Sequence, residues 1–230
     1  MQTQDAPAEI IFKLWPWLEA NKNRLIGALA AILVVIGILY FISSQREQKE
    51  VDAGQALTLL LVNPTANANI ADAFEQLAAK YPGTAAGQRA RLQAGAALYD
   101  NGRYPDAQAQ FQKLLDASST GPLAATAQLG VAASLEAQSK LDAAAAAYQK
   151  VTAVYGGSSS VLPAEFALGR IAEQQNRPTE AMSHYDKVAR ASLGGTLAQE
   201  AAQREFEIKA KVADAAPKSV APKPAAAAVK

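Results

Sequence analysis

The chain has 230 residues, 22 basic against 21 acidic side chains, one histidine and no cysteine. A formal net charge of +1 gives no bulk attraction to nucleic acid, and the lack of cysteine removes disulfides, thiolate metal sites and cysteine nucleophiles together. The lone His184 leaves almost no material for a histidine metal site or a catalytic triad, so no metal, no cofactor, no small-molecule substrate and no enzymatic role are predicted.

Met1 to Ala8 is polar and reads as disordered. Glu9 to Leu18 (EIIFKLWPWL) clusters bulky apolar residues around Pro16. It reads equally as a short segment on a membrane surface, with Trp15 and Trp17 at headgroup level, or as a floppy leader whose tryptophans partition there. Leu25 to Ile42 (LIGALAAILVVIGILYFI) carries no charge, no amide and no proline. As a helix it reaches roughly 27 Å, close to the ~30 Å hydrocarbon core of a bilayer. A buried core helix fits poorly because no polar face exists at helical spacing. A cleaved signal peptide fits poorly too: the leader is long, and Tyr40, Phe41 and Ile42 stand where small residues belong. A single uncleaved transmembrane helix is predicted over 25–42, in contact with membrane lipid, after a cytoplasmic leader over 1–24. Lys13, Lys22 and Arg24 before the span against Arg46 and Lys49 after it favour a cytoplasmic N-terminus by a narrow margin. Gly27 and Ala31 form a small-xxx-small pair, a candidate contact for a membrane partner.

Residues 43–69 read as a juxtamembrane helix and a loop. The helix buries Ala53, Ala56, Leu57, Leu60 and Leu61 on one face and ends at Asn63-Pro64, because a residue before proline disfavours helical geometry.

A 37-residue step then governs the chain. Phe111, Tyr148 and Tyr185 obey it, and one step back lands on Phe74. So do Ala107, Ala144 and Ala181; Leu114, Val151 and Val188; Lys113, Lys150 and Lys187; and Gly95, Ala132 and Gly169. Each unit divides into two helices at a turn signal: Asp100-Asn101-Gly102, Ser139-Lys140 and Asn176-Arg177-Pro178. The small residues mark close helix crossings and the aromatic column fills the wedge between hairpins. A hairpin alone leaves an apolar face bare, so the units stack into an all-α solenoid over 70–195. Leu197 to Val212, with few apolar residues (Ala201, Ala202, Phe206 and Ile208) and many charges, reads as a capping helix over the last hairpin (domain 196–212), and the Ala-Pro-Lys stretch over 213–230 as a disordered tail. His184, just before Tyr185 on a second helix, reads as solvent-facing, and Gly156-Gly157-Ser158 as an inter-repeat joint.

Leu98, Gly102, Tyr104, Ala107 and Phe111 stand at the L-x3-G-x-Y-x2-A-x3-F spacing of the tetratricopeptide repeat, and Tyr81-Pro82-Gly83 matches the proline closing such a unit. The chain resembles that family. It departs in its period, 37 against a usual ~34, and in carrying Arg91, Gln128 and Glu165 where a large aromatic is the rule. The resemblance implies a concave face lined by first helices, at Arg89, Leu92, Tyr99, Leu129, Glu136, Phe166, Arg170 and Glu173. Leu92, Leu129 and Phe166 read alternatively as core. The layout of leader, single span and repeats is similar to the YfgM-like family of ancillary subunits of the bacterial Sec translocon. That resemblance implies an inner-membrane protein with its repeats in the periplasm, contacting translocon components, periplasmic chaperones or emerging secreted chains. A periplasmic scaffold for cell-envelope assembly or cell division is the alternative.

Overall fold

The computed structural model describes residues 6–63, 69–191 and 194–215. The polar start before Ala6, the loop over 64–68 and the Ala-Pro-Lys tail from 216 onward lie outside the described residues. The chain divides into two units, Met1–Gln55 and Ala56–Lys230. Among the described residues every element is a helix.

The first unit holds most of α1 (Ala6–Val62), 57 residues long. One expectation is corrected here: Ala6 to Ala8 is helical. The helix continues unbroken through Pro16. Proline removes one backbone donor at that point, and the ladder resumes beyond it. From Ile26 to Ile42 the large apolar side chains are 42–76% exposed among the described residues. Further along, Ala53 and Leu57 are buried, whereas Leu61 is exposed, so the predicted face is narrower than its spacing implied.

The second unit continues with α2 (Ile70–Lys80), α3 (Ala85–Asp100), α4 (Tyr104–Ala117), α5 (Ala124–Ala137), α6 (Leu141–Val154), α7 (Val161–Gln174), α8 (Pro178–Ala191) and α9 (Thr196–Ala215). Each helix packs on the next, and α3 also meets α5. Helix starts are fixed locally. Thr84 accepts the Gly87 amide at 2.9 Å, and Pro105 sits at the start of α4, where a missing donor is harmless.

The turns inside the hairpins repeat one geometry. Gly102, Ser139 and Asn176, 37 apart, all have positive φ, at 75°, 60° and 56°. At the first, the Gly102 amide donates to Tyr99 O and the Arg103 amide to Leu98 O, both at 2.9 Å. Lys140 to Leu135 (3.0 Å) and Arg177 to Ala172 (2.8 Å) repeat the longer bond. This double closure satisfies carbonyls left open at a helix end and needs a left-handed residue, which glycine and asparagine supply at low cost.

Between hairpins the aromatic column is buried as predicted. At Gly95 and Gly169 the missing side chain makes room for a ring. The Phe111 ring is 5% exposed and held between two first helices. A Cβ on Gly95 of α3 would stand 2.6 Å from it, and one on Gly130 of α5 2.7 Å. Tyr185 uses Gly169 in the same way, at 2.7 Å. The lysine column faces solvent. Helix α9 covers the last hairpin as a further first helix, with Ala198 and Ala201 buried 34 residues after Ala164 and Ala167. Of its other apolar residues, Ile208 is buried while Ala202 and Phe206 are exposed, Phe206 by 73%. The helix also runs past the predicted start of the tail at residue 213, to Ala215.

Candidate functional site

Residues 92, 96 and 99 of α3 share one helical face, as do 126, 129, 130 and 133 of α5. With these two helices side by side, Leu92, Gln93, Ala96, Tyr99, Asp100, Thr126, Leu129, Gly130 and Ala133 line a groove of about 350 Å³ floored by Phe111. A second, polar recess of about 360 Å³ is bounded by Tyr99, Glu136, Ala137, Ser139, Leu141, Arg170 and Gln174. Tyr99 belongs to both.

The residues predicted to line a concave face therefore separate. Leu92, Tyr99 and Leu129 meet in the apolar groove, and Tyr99, Glu136 and Arg170 in the polar recess. Phe166 is corrected to core: it is buried, with its ring centroid 5.3 Å from that of Tyr185. Phe166 shares a buried cluster with Tyr185 of α8 and with Ala201 and Ile208 of α9. Arg89 is exposed and lines neither hollow. Glu173 faces a separate hollow with Asn176, Pro178, Ile208, Lys211 and Val212. Gly27 and Ala31 lie on one exposed face of α1, with open space beside Gly27.

Glu136 and Arg170 are bound to each other. Arg170 donates through Nε and Nη2 at 2.9 and 2.8 Å, a two-point pairing of guanidinium and carboxylate. The Tyr148 hydroxyl donates to the same carboxylate at 2.8 Å. One step on, the Tyr185 hydroxyl donates to Glu173 at 3.3 Å, and Arg204 approaches that carboxylate at 3.8 Å. Each set is a rung: a phenol from a second helix, a carboxylate from the end of its own first helix, and a guanidinium from the next first helix. In the sequence only the rings stand out, as wedge filler. The further signal for the rungs is that Glu136 and Glu173 share the 37-residue register.

Burial, then the charge of Glu136 and the hydrogen bond to it, raise the Tyr148 phenol above its usual range. Burial first, then Glu173, pushes Tyr185 up to about 12 from 10.0. The hydrogen bond to Glu136 is the main cause that raises Arg170. A phenol with a raised folded-state pKa holds its proton more tightly than the unfolded chain does. The stability from this source is complete below about pH 10 and is lost as pH rises through about 12. Melting temperatures measured from about pH 9 to pH 12 will fall less for Tyr148→Phe/Tyr185→Phe than for the parent chain.

His184 is also corrected. Its side chain is mostly buried, with Nδ1 2.6 Å from Glu165 Oε2, and Lys187 Nζ lies 3.2 Å from the same oxygen. Its Nε2 is 3.9 Å from Glu180. Glu165 occupies the column of Arg91 and Gln128, a position turned toward the second helix, which draws the histidine inward. Among the described residues no group of His, Asp and Glu is arranged to hold a metal ion. The apolar groove offers two hydrocarbon walls and two rings for the desolvation of an apolar side chain, with a carboxylate at its rim.

No curated protein matches the sequence. Solved structures do match in fold. A tetratricopeptide repeat protein from Parabacteroides merdae ATCC 43184 aligns with a TM-score of 0.57 at 11% identity, over 73% of this chain and 62% of that one. A Podosopora anserina structure of nearly identical TPR-like repeats aligns with a TM-score of 0.52 at 12% identity, over 75% of this chain and 89% of that one. A family profile described as "Tetratricopeptide repeat-like domain" matches residues 13–216, taking in the apolar part of α1 together with the hairpins. The chain belongs to the tetratricopeptide repeat-like domain family.

Proposed function

We propose that this protein is a membrane-anchored, non-enzymatic scaffold that holds other polypeptides in the groove between α3 and α5. The observation that carries the reading is the pairing, in one chain, of an uncovered apolar helix with a repeat stack that has its own core. Among the described residues one helix is long and apolar enough to cross a bilayer, and none of its apolar window is buried. Such a window loses free energy by entering lipid, at roughly 25 cal/mol per Å² of apolar surface. Anchoring confines the groove near its partners, so weak contacts suffice through effective concentration. In this reading the N-terminus is cytoplasmic, the repeats are periplasmic, and the partner is the Sec translocon with its chaperones or emerging chains.

Two measurements test it. After alkaline carbonate extraction the full chain stays in the membrane pellet; recovery in the supernatant rejects the anchor. A photo-cross-linker at Leu29 captures translocon components; products free of any such component reject that assignment and leave the scaffold role standing.

A further inference from the structure

The groove stands where the rung pattern stops. One step of 37 back from Glu136, Tyr148 and Arg170 lands on Tyr99, Phe111 and Ala133, and all three line the groove. The positions that tie later hairpins together with a carboxylate, a phenol and a guanidinium here present two rings and a methyl group. Ala133 is too short to cross to α3, and the space an arginine would fill is left open. A tie between hairpins has been replaced by an apolar notch.

The notch also has a defined charge. Asp100 is its one ionised lining residue. It is the last residue of α3, it is exposed, and it pairs with no cation among the described residues. A carboxylate at a helix C-terminus adds to the negative end of the helix dipole instead of offsetting it. The Tyr99 phenol feels the result. Burial raises its pKa first, Tyr104, Glu136 and Asp100 raise it further, and only Arg170 opposes.

Building on the protein-binding reading of this groove, we propose that it takes polypeptide segments that present a large apolar side chain beside a lysine or arginine. The apolar group rests on Leu92, Tyr99, Phe111 and Leu129, and the cation meets Asp100. Affinity comes from the apolar contact and selectivity from the charge, since a rim ion pair discriminates more than it binds.

The test uses the full-length chain in detergent micelles and three fluorescein-labelled peptides on one Gly-Ser frame, carrying Phe-Lys, Phe-Glu or Ser-Lys. Phe-Lys binds about five-fold more tightly than Phe-Glu, as an exposed charge pair allows, and at least about ten-fold more tightly than Ser-Lys. Asp100→Asn abolishes the preference for lysine. Leu129→Ser weakens all apolar binding. The triple variant Tyr99→Glu/Phe111→Tyr/Ala133→Arg rebuilds the rung and closes the groove. Equal affinity for Phe-Lys and Phe-Glu overturns the proposal but leaves a protein-binding groove in place. Phe-Lys binding untouched by Leu129→Ser overturns both. Removal of residues 216–230 that raises the affinity ten-fold assigns the groove to the chain's own lysine-bearing tail and overturns a separate partner.

Discussion

Phe111→Ala lowers the unfolding free energy of the repeat unit by about 3–5 kcal/mol, the upper part of the range for large-to-small core changes. The ring is 5% exposed and lies between Gly95 and Gly130, two residues with no side chain to move into the space it vacates. The cavity therefore stays open, and its cost adds to the lost burial. Domains of this size hold about 5–15 kcal/mol in all, so the loss is a large share of the total. It falls between two hairpins, and in a stack each unit contacts only its neighbours, so a lost interface is not made up elsewhere. Urea unfolding followed by circular dichroism will show an earlier midpoint and two steps in place of one. Gly130→Val fails for the opposite reason, crowding the ring at a cost of about 1–3 kcal/mol. A Phe111→Ala chain that unfolds in one step at the parent midpoint would show that the ring does not couple the hairpins.

Glu136→Ala costs about 2–3 kcal/mol. Its carboxylate accepts from two helices at once, and without it the Tyr148 hydroxyl is left buried with no acceptor. Hydrogen bonds to charged groups contribute about 1.5–3 kcal/mol, and a buried group left without a partner costs about 1–3. Arg170 adds less, because its side chain is 45% exposed and water replaces the lost partner. Glu136→Gln keeps an acceptor for Tyr148 and loses about half as much. A double-mutant cycle of Glu136→Ala with Tyr148→Phe isolates the coupling, expected near 1 kcal/mol. A coupling of zero would mean that the hydroxyl and carboxylate act independently.

The hairpins, their turns and the aromatic column were legible in the sequence, because a fixed step of 37 puts each column in the same environment every time. Leu92, Leu129 and Phe166 were not separable. They share a column, so the step alone does not tell which of them is covered; at Phe166 the cluster includes Ala201 and Ile208 of α9. Tyr185 covers Phe166, while the groove leaves Leu92 and Leu129 partly bare. His184 was misread because its partner Glu165 lies 19 residues away on the facing helix. The rungs were hidden for a related reason: their third member arrives from the next hairpin, 34 residues after its acid's own turn of helix or, at Arg204, by a shorter joint than the period implies. A repeat step reveals columns within one register; it does not reveal contacts made between registers.

The two rungs differ in tightness. At Glu136 the contacts are near 2.8 Å, whereas at Glu173 they stretch to 3.3 and 3.8 Å. Zippers open from the looser end. A protease or an unfolding motor that seized the chain beyond Ala215 would peel away α9 first and then meet rising resistance, hairpin by hairpin, toward the clasp at Glu136.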